Sequence, residues 1–163
     1  MAEIAMRAAV LTVSDSGSRG EREDTAGPAV AALLIDAGFE VVERALLPDE
    51  PTQLSTHLRR WADDDGIALV VTTGGTGLSP RDRTPEATAA VLDYRVDGIG
   101  EAMRTAGRAS TSMAMLSRGL AGVRGRTLII NVPGSERGAR ENLTTVLPVL
   151  RHAMEQLYDG GGH

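Results

Sequence analysis

The sequence predicts an α/β protein: a three-layer α/β/α fold on a mostly parallel, twisted sheet with helices on both faces. Three observations point there. Short apolar runs alternate with helix-periodic segments along the chain. Several of those runs end directly in turns rich in glycine, proline or aspartate, as strands feeding a ligand-binding edge do. No repeat, linker or low-complexity stretch interrupts the alternation, so residues 1–163 are expected to form a single domain.

Ala8 to Val13 is an apolar run of strand length, followed by a polar loop, Ser14 to Asp24, with Gly17 and Gly20. A helix starts near Thr25 with Ala26, Val30, Leu33, Leu34 and Ala37 on one face, and Gly38 stops it. Phe39 to Leu47 is a second strand, broken by Pro48-Asp49-Glu50-Pro51. A second helix from about Thr52 packs Leu54, Leu58, Trp61 and Ala62 and ends at Asp65-Gly66. Ile67 to Val71 is a third strand and runs into Thr72-Thr73-Gly74-Gly75-Thr76-Gly77.

Thr84-Pro85 reads as a helix start, a capping hydroxyl with proline at the first helical position. That helix carries Ala87, Val91 and Leu92, and Gly98 to Arg108 is a further one. Met113 to Ser117 and Thr127 to Val132 read as strands, with Arg118 to Gly125 a tight excursion or hairpin between them. Val132-Pro133-Gly134-Ser135 is a sharp turn into a last helix, about Ser135 to Tyr158, which Pro148 is expected to kink. Residues 160–163 read as a frayed tail.

Composition narrows the function. The net charge of −5 and an aromatic content of 2% argue against a nucleic-acid stripe or a base-stacking platform. No apolar run approaches the ~20 residues of a membrane span, and Met1 to Arg7 lacks a signal-peptide core, so a cytoplasmic location is expected. There is no cysteine, hence no thiolate ligand or cysteine nucleophile. All 17 basic residues are arginine, which removes a P-loop or Schiff-base lysine. The three histidines have no spaced partners, so a zinc site has no support.

Right-handed crossovers bring the loops 14–24, 48–51, 73–83 and 133–138 to one sheet edge. Three glycines in four residues, Gly74 to Gly77, leave the backbone free to point several N–H groups at one anion. Alone, this segment is equally a tight strand-to-loop turn. Asp49 and Asp82 each follow a strand end in a loop at that edge. Beside a phosphate, each like-charge pair at ~4 Å costs on the order of 4 kcal/mol at an effective dielectric near 20. A bridging divalent cation removes the conflict, and Mg²⁺ suits one or two carboxylates plus phosphate oxygens and water. Each aspartate also reads as a turn residue or as a salt-bridge partner of Arg81 or Arg83. Asp15 reads equally as a turn or cap residue.

Taken together, Thr72 to Gly77, Pro80-Arg81-Asp82 and Thr84-Pro85-Glu86-Ala87-Thr88 resemble the molybdopterin-binding family. This is the MogA/MoaB group, related to the gephyrin and plant Cnx G domains. Val13-Ser14-Asp15, Leu47-Pro48-Asp49-Glu50, Met115-Leu116-Ser117-Arg118 and Gly125 to Ser135 continue the resemblance over essentially the whole chain. It implies a homotrimer, binding of molybdopterin, and ATP- and Mg²⁺-dependent adenylylation of the pterin's terminal phosphate. Adenylyl-molybdopterin would pass to a molybdate-insertion enzyme. A paralogue that binds molybdopterin without adenylylating it is the alternative within the family.

Residue by residue, the resemblance implies catalytic and metal-holding roles for Asp49 and Asp82. It implies substrate contacts from Asp15, Thr73, Gly74, Gly75, Thr76, Gly77, Ser117, Pro133, Gly134 and Ser135. Glu101, in a Gly-x-Gly-Glu-x-Met-Arg segment, is implied as a further substrate contact.

Overall fold

The computed structural model describes residues 6–159. The sheet holds β1 (Arg7–Val13), β2 (Glu40–Leu47), β3 (Leu69–Thr73), β4 (Tyr94–Arg95), β5 (Ala121–Arg124) and β6 (Thr127–Val132). Their order is β2-β1-β3-β6-β5-β4. The first four run parallel, β5 is antiparallel to β6, and β4 is antiparallel to β5. The helices are α1 (Asp15–Ser18), α2 (Ala26–Asp36), α3 (Pro51–Asp63), α4 (Thr84–Ala89), α5 (Asp97–Arg108) and α6 (Glu136–Asp159).

The central strands are apolar along their length because both faces are covered. On β1, Ala8 and Val10 face one side, with Leu69, Val71, Leu128 and Ile130, and α2, α5 and α6 pack there through Val30, Leu34, Met103, Leu143 and Leu150. Ala9, Leu11 and Val13 face the other side, with Val70 and Ile129 and with Leu54, Leu58, Trp61 and Ala87 from α3 and α4. This is the period of two that a pleated strand imposes. Each large side chain so buried contributes about 1.5–3 kcal/mol, which fixes both helix layers on the sheet. Edge strand β2 is mostly exposed, as an uncovered edge must be.

Two expectations need correction. Met113 to Ser117 is not a strand: Ser112–Leu116 forms a 3₁₀ segment, opened by Thr111 Oγ1 accepting from Met113 N. The place beside β6 is taken by β5, which reaches it through a hairpin at Gly125 (φ 58°). Thr84 does not cap α4; it is the first helical residue, and no side-chain cap bond is made there. Its amide donates to Gly75 O at 3.2 Å and its hydroxyl lies against Gly75, turned away from the first-turn amides. Finally, β4 is only two residues long and has no apolar run to announce it.

From β1 the chain crosses to β2 on one side; from β3 it crosses to the β6 side. A crevice therefore opens between the C-terminal ends of β1 and β3, the topological switch point where α/β sheets bind ligands.

Candidate active site

The loops after β1, β2, β3 and β6 converge at this crevice. Ser14 Oγ accepts from Gly17 N and starts the single turn of α1. Asp15, next in sequence, is tied to Asp49 of the β2–α3 loop by two reciprocal bonds. Asp15 N donates to Asp49 Oδ2 at 3.2 Å, and Asp49 N donates to Asp15 Oδ1 at 3.0 Å.

The glycine turn after β3 uses left-handed backbone at Gly74 (φ 105°) and Gly75 (φ 69°). A side chain at Gly74 would run into the Val13 carbonyl oxygen, so only glycine lets the turn lie against β1. Gly74 N donates to Val132 O at 3.1 Å and Thr73 Oγ1 to Pro133 O at 2.6 Å, which stitches the turn to the end of β6. There Ser135 Oγ accepts from Gly138 N at 3.1 Å and caps α6. The carbonyls of Gly75, Thr76 and Gly77 are taken by Thr84 N, Arg118 N and Arg118 Nε. The amides of the same three residues have no acceptor among the described residues. A row of free N–H groups of this kind is what a backbone anion nest presents.

The carboxylates differ sharply in environment. Asp49 is buried, 8% exposed, and its Oδ1 receives no hydrogen bond among the described residues. Burial, and then the nearby charge of Asp15, push its carboxyl above the usual carboxylate range. The charge of Asp82 acts in the same direction. Asp15 is held below that range, chiefly by Arg81, whose Nε and Nη2 each donate to it at 3.0 Å. Arg81 Nη2 also donates to Glu50 at 2.9 Å. Asp82 Oδ2 accepts from Ser79 N at 3.1 Å.

Two adjoining clefts result. The first, about 580 Å³, is lined by Asp15, Asp49, Thr73, Gly74, Gly75, Asp82, Gly134 and Ser135, together with Arg19, Arg22 and Asp24. The second, about 420 Å³, is lined by Gly77, Ser117, Pro133 and Ser135, together with Leu78, Met113, Leu116, Glu141 and Asn142. They meet at Ser135, which lines both. Thr76 is buried behind the turn. Glu101 is exposed on α5 and lines neither cleft. The apolar wall of Met113 and Leu116 carried a misleading signal, since a short apolar run mimics a buried strand. Asp24 was legible only as a loop end; its Oδ1 accepts from Gly27 N at 2.8 Å and its Oδ2 accepts from Thr12 Oγ1 at 2.7 Å.

Among the described residues no group of three or more acidic or histidine side chains converges into a protein-only metal cage. Asp49 and Asp82 instead fit an ion that keeps most of its own water, because Asp49 offers a buried carboxylate oxygen with no donor.

Residues 9–152 match the family described as "Probable molybdopterin binding domain". A molybdopterin adenylyltransferase of Helicobacter pylori (strain J99) is 38% identical over 148 residues, covering 90% of this chain and 84% of that protein. A molybdenum cofactor biosynthesis bifunctional protein of Synechococcus elongatus is 40% identical over 147 residues, 90% of this chain and 46% of that protein. The chain thus spans only a quarter to about half the length of its longer curated relatives. The crystal structure of the molybdopterin biosynthesis enzyme MoaB of Thermus thermophilus superposes with a TM-score of 0.90 at 55% identity, covering 94% of this chain and 97% of that one. The sheet order, the switch-point crevice and these matches lead to one assignment: the chain belongs to the molybdopterin-binding family.

Proposed function

We propose that this protein catalyses adenylylation of molybdopterin by ATP, releasing pyrophosphate, as a step of molybdenum cofactor biosynthesis. One observation carries the reading: a glycine turn with free amides lies beside Asp49, a buried carboxylate with an undonated oxygen, and Asp82. Free amides suit phosphate, and paired acids beside them suit a cation that neutralises it.

An oxygen of the pterin's terminal phosphate attacks the α-phosphorus of ATP in line with the bond to the β-phosphate. That bond breaks as the new one forms, and pyrophosphate leaves. The nucleophile is already an anion, so no strong base is required. The protein contributes positioning and charge complementarity. The amides of Gly75, Thr76 and Gly77 hold phosphate oxygens. Asp49 and Asp82 would hold Mg²⁺, which supplies neutralisation of the developing charge when bound. The larger, polar cleft has the volume of a nucleotide site, within the ~300–1,000 Å³ usual for small ligands. The second offers Leu78, Met113 and Leu116 to the pterin face and Glu141 and Asn142 to its polar edge. A homotrimer and hand-over of the product to a molybdate-insertion enzyme accompany this reading.

The test is direct. Purified protein, molybdopterin, ATP and Mg²⁺ should yield adenylylated pterin and pyrophosphate, and Asp82→Asn should lower turnover by about 10²-fold or more. Tight pterin binding without pyrophosphate release would overturn the catalytic reading in favour of a binding protein.

A further inference from the structure

The structure assigns a positioning role to Arg118, which lines neither cleft and yet anchors the segment that carries the glycine turn and Asp82. The inference rests on the adenylyl-transfer reading above. Arg118 makes four attachments to this one segment. Its main-chain N donates to Thr76 O at 2.8 Å and its Nε to Gly77 O at 2.9 Å. Its Nη2 donates to Asp82 O at 2.7 Å, and its Nη1 pairs with Glu86.

A peptide group is planar, so a bonded carbonyl fixes the direction of the next residue's N–H. Holding Thr76 O aims the Gly77 amide, holding Gly77 O aims the Leu78 amide, and holding Asp82 O fixes the backbone beside the Asp82 carboxylate. Arg118 thus sets, from behind, the groups that face phosphate and cation in front. A guanidinium fork can serve Gly77, Asp82 and Glu86 at once from three separate nitrogens, whereas the three donors of an ammonium radiate from one.

Arg118 is itself held. Arg104 of α5 donates through Nη1 to Gly119 O at 2.7 Å and to Ser117 O at 3.4 Å, pinning the chain on both sides of Arg118. At Gly100 a Cβ would come within 3.0 Å of Arg104 Nη2 and 3.4 Å of Gly119 O, so the glycine keeps that approach open. The Gly-x-Gly-Glu-x-Met-Arg segment therefore bears on the site through Arg104, while Glu101 points elsewhere on the surface.

The experiment compares Arg118→Met, Arg118→Ala, Arg118→Lys and Arg104→Met with the parent protein. For Arg118→Met the expected kcat falls by about 10²-fold, the loss typical of a misplacement near 1 Å. Any rise in the KM for molybdopterin is smaller than the fall in kcat, because Pro133, Glu141 and Asn142 of the pterin cleft lie on elements the anchor does not hold. Arg118→Lys is intermediate, and ethylguanidinium restores turnover to Arg118→Ala. The loss in the Arg104→Met, Arg118→Met double variant is smaller than the product of the single losses. A readout without catalysis accompanies these: exchange at the hydrogen-bonded amides of Asp82 and Thr84, which donate to Ser79 O and Gly75 O within the anchored segment, quickens about tenfold in Arg118→Met while β3 and β6 stay protected.

Wild-type kcat retained within about threefold, or lost only in step with a rise in KM, overturns the positioning role. Faster exchange across the whole sheet also overturns it, as general destabilisation. If the parent protein releases no pyrophosphate, the catalytic reading fails, and the local exchange pattern still decides whether Arg118 sets the turn.

Discussion

The substitution Asp49→Asn tests whether a buried carboxylate is retained at the cleft floor for chemistry and against stability. Asp49 Oδ1 and Thr84 Oγ1 are both buried and both lack a hydrogen-bond partner among the described residues. Both border Gly75, where a Cβ would meet the Thr84 hydroxyl and would lie 2.9 Å from Asp49 Oδ1. A buried acceptor left unsatisfied costs about 1–3 kcal/mol. Asparagine keeps an oxygen for the Asp15 amide. It also removes a charge that sits next to Asp15 and Asp82. A net gain on the order of 1 kcal/mol is expected from removing this buried charge. For a chain of this size that corresponds to a rise in Tm of about 2–4 °C per kcal/mol.

The sign of the pH dependence is fixed as well. The folded-state pKa of Asp49 is raised, by burial first and the Asp15 charge second. The charged form therefore penalises folding, fully so above the raised folded value and not at all below the unfolded one. The advantage of Asp49→Asn is expected at pH 7 and should shrink as the solution is taken toward pH 4. Thermal unfolding of both proteins in EDTA, with turnover measured separately, is the assay. Activity should fall by about 10²-fold or more while Tm rises. A variant that melts lower than its parent at pH 7, or that keeps its activity, refutes the reasoning.

Asn131 on β6 donates to the Thr72 and Thr88 hydroxyls at 2.9 and 3.0 Å and accepts from Leu120 N, all in the interior. Asn131→Ala strands three polar groups, each costing about 1 kcal/mol or more, and urea unfolding should show a loss of about 3 kcal/mol with an unchanged m-value. Arg81→Ala releases Asp15 from the guanidinium that depresses its pKa. Its carboxyl, followed by NMR titration, should then move up toward the ordinary carboxylate value; no movement would mean that the ion pair does not persist in solution. Because the parent Asp15 pKa is depressed, any stability the pair contributes is present at neutral pH and lost on acidification through the folded pKa.

The chemical pattern of this chain determines its architecture to a large degree. Apolar runs of strand length become β1, β3 and β6 because strands buried on both faces need apolar residues throughout. The face read for the helix near Thr25 is the one that α2 buries through Ala26, Val30 and Leu34, and Gly38 at φ 97° ends it. The order of strands and turns already places Asp15, Asp49, the glycine turn and the Pro133–Ser135 turn on one edge, since right-handed crossovers leave little choice. Local chemistry misleads where a tertiary partner outbids it. Thr84 has the residue type and the following proline of a cap, yet its amide is claimed by Gly75 and its hydroxyl faces the turn. Met113 to Leu116 is an apolar run of strand-like length, yet β5 occupies the slot beside β6 and leaves Met113 and Leu116 as a cleft wall. Only the folded chain decides that Asp49 is the buried, undonated member of the acid pair, and that Arg118 reaches three acceptors across the loop. Burial and partnership depend on residues dozens of positions away, and no local pattern encodes them.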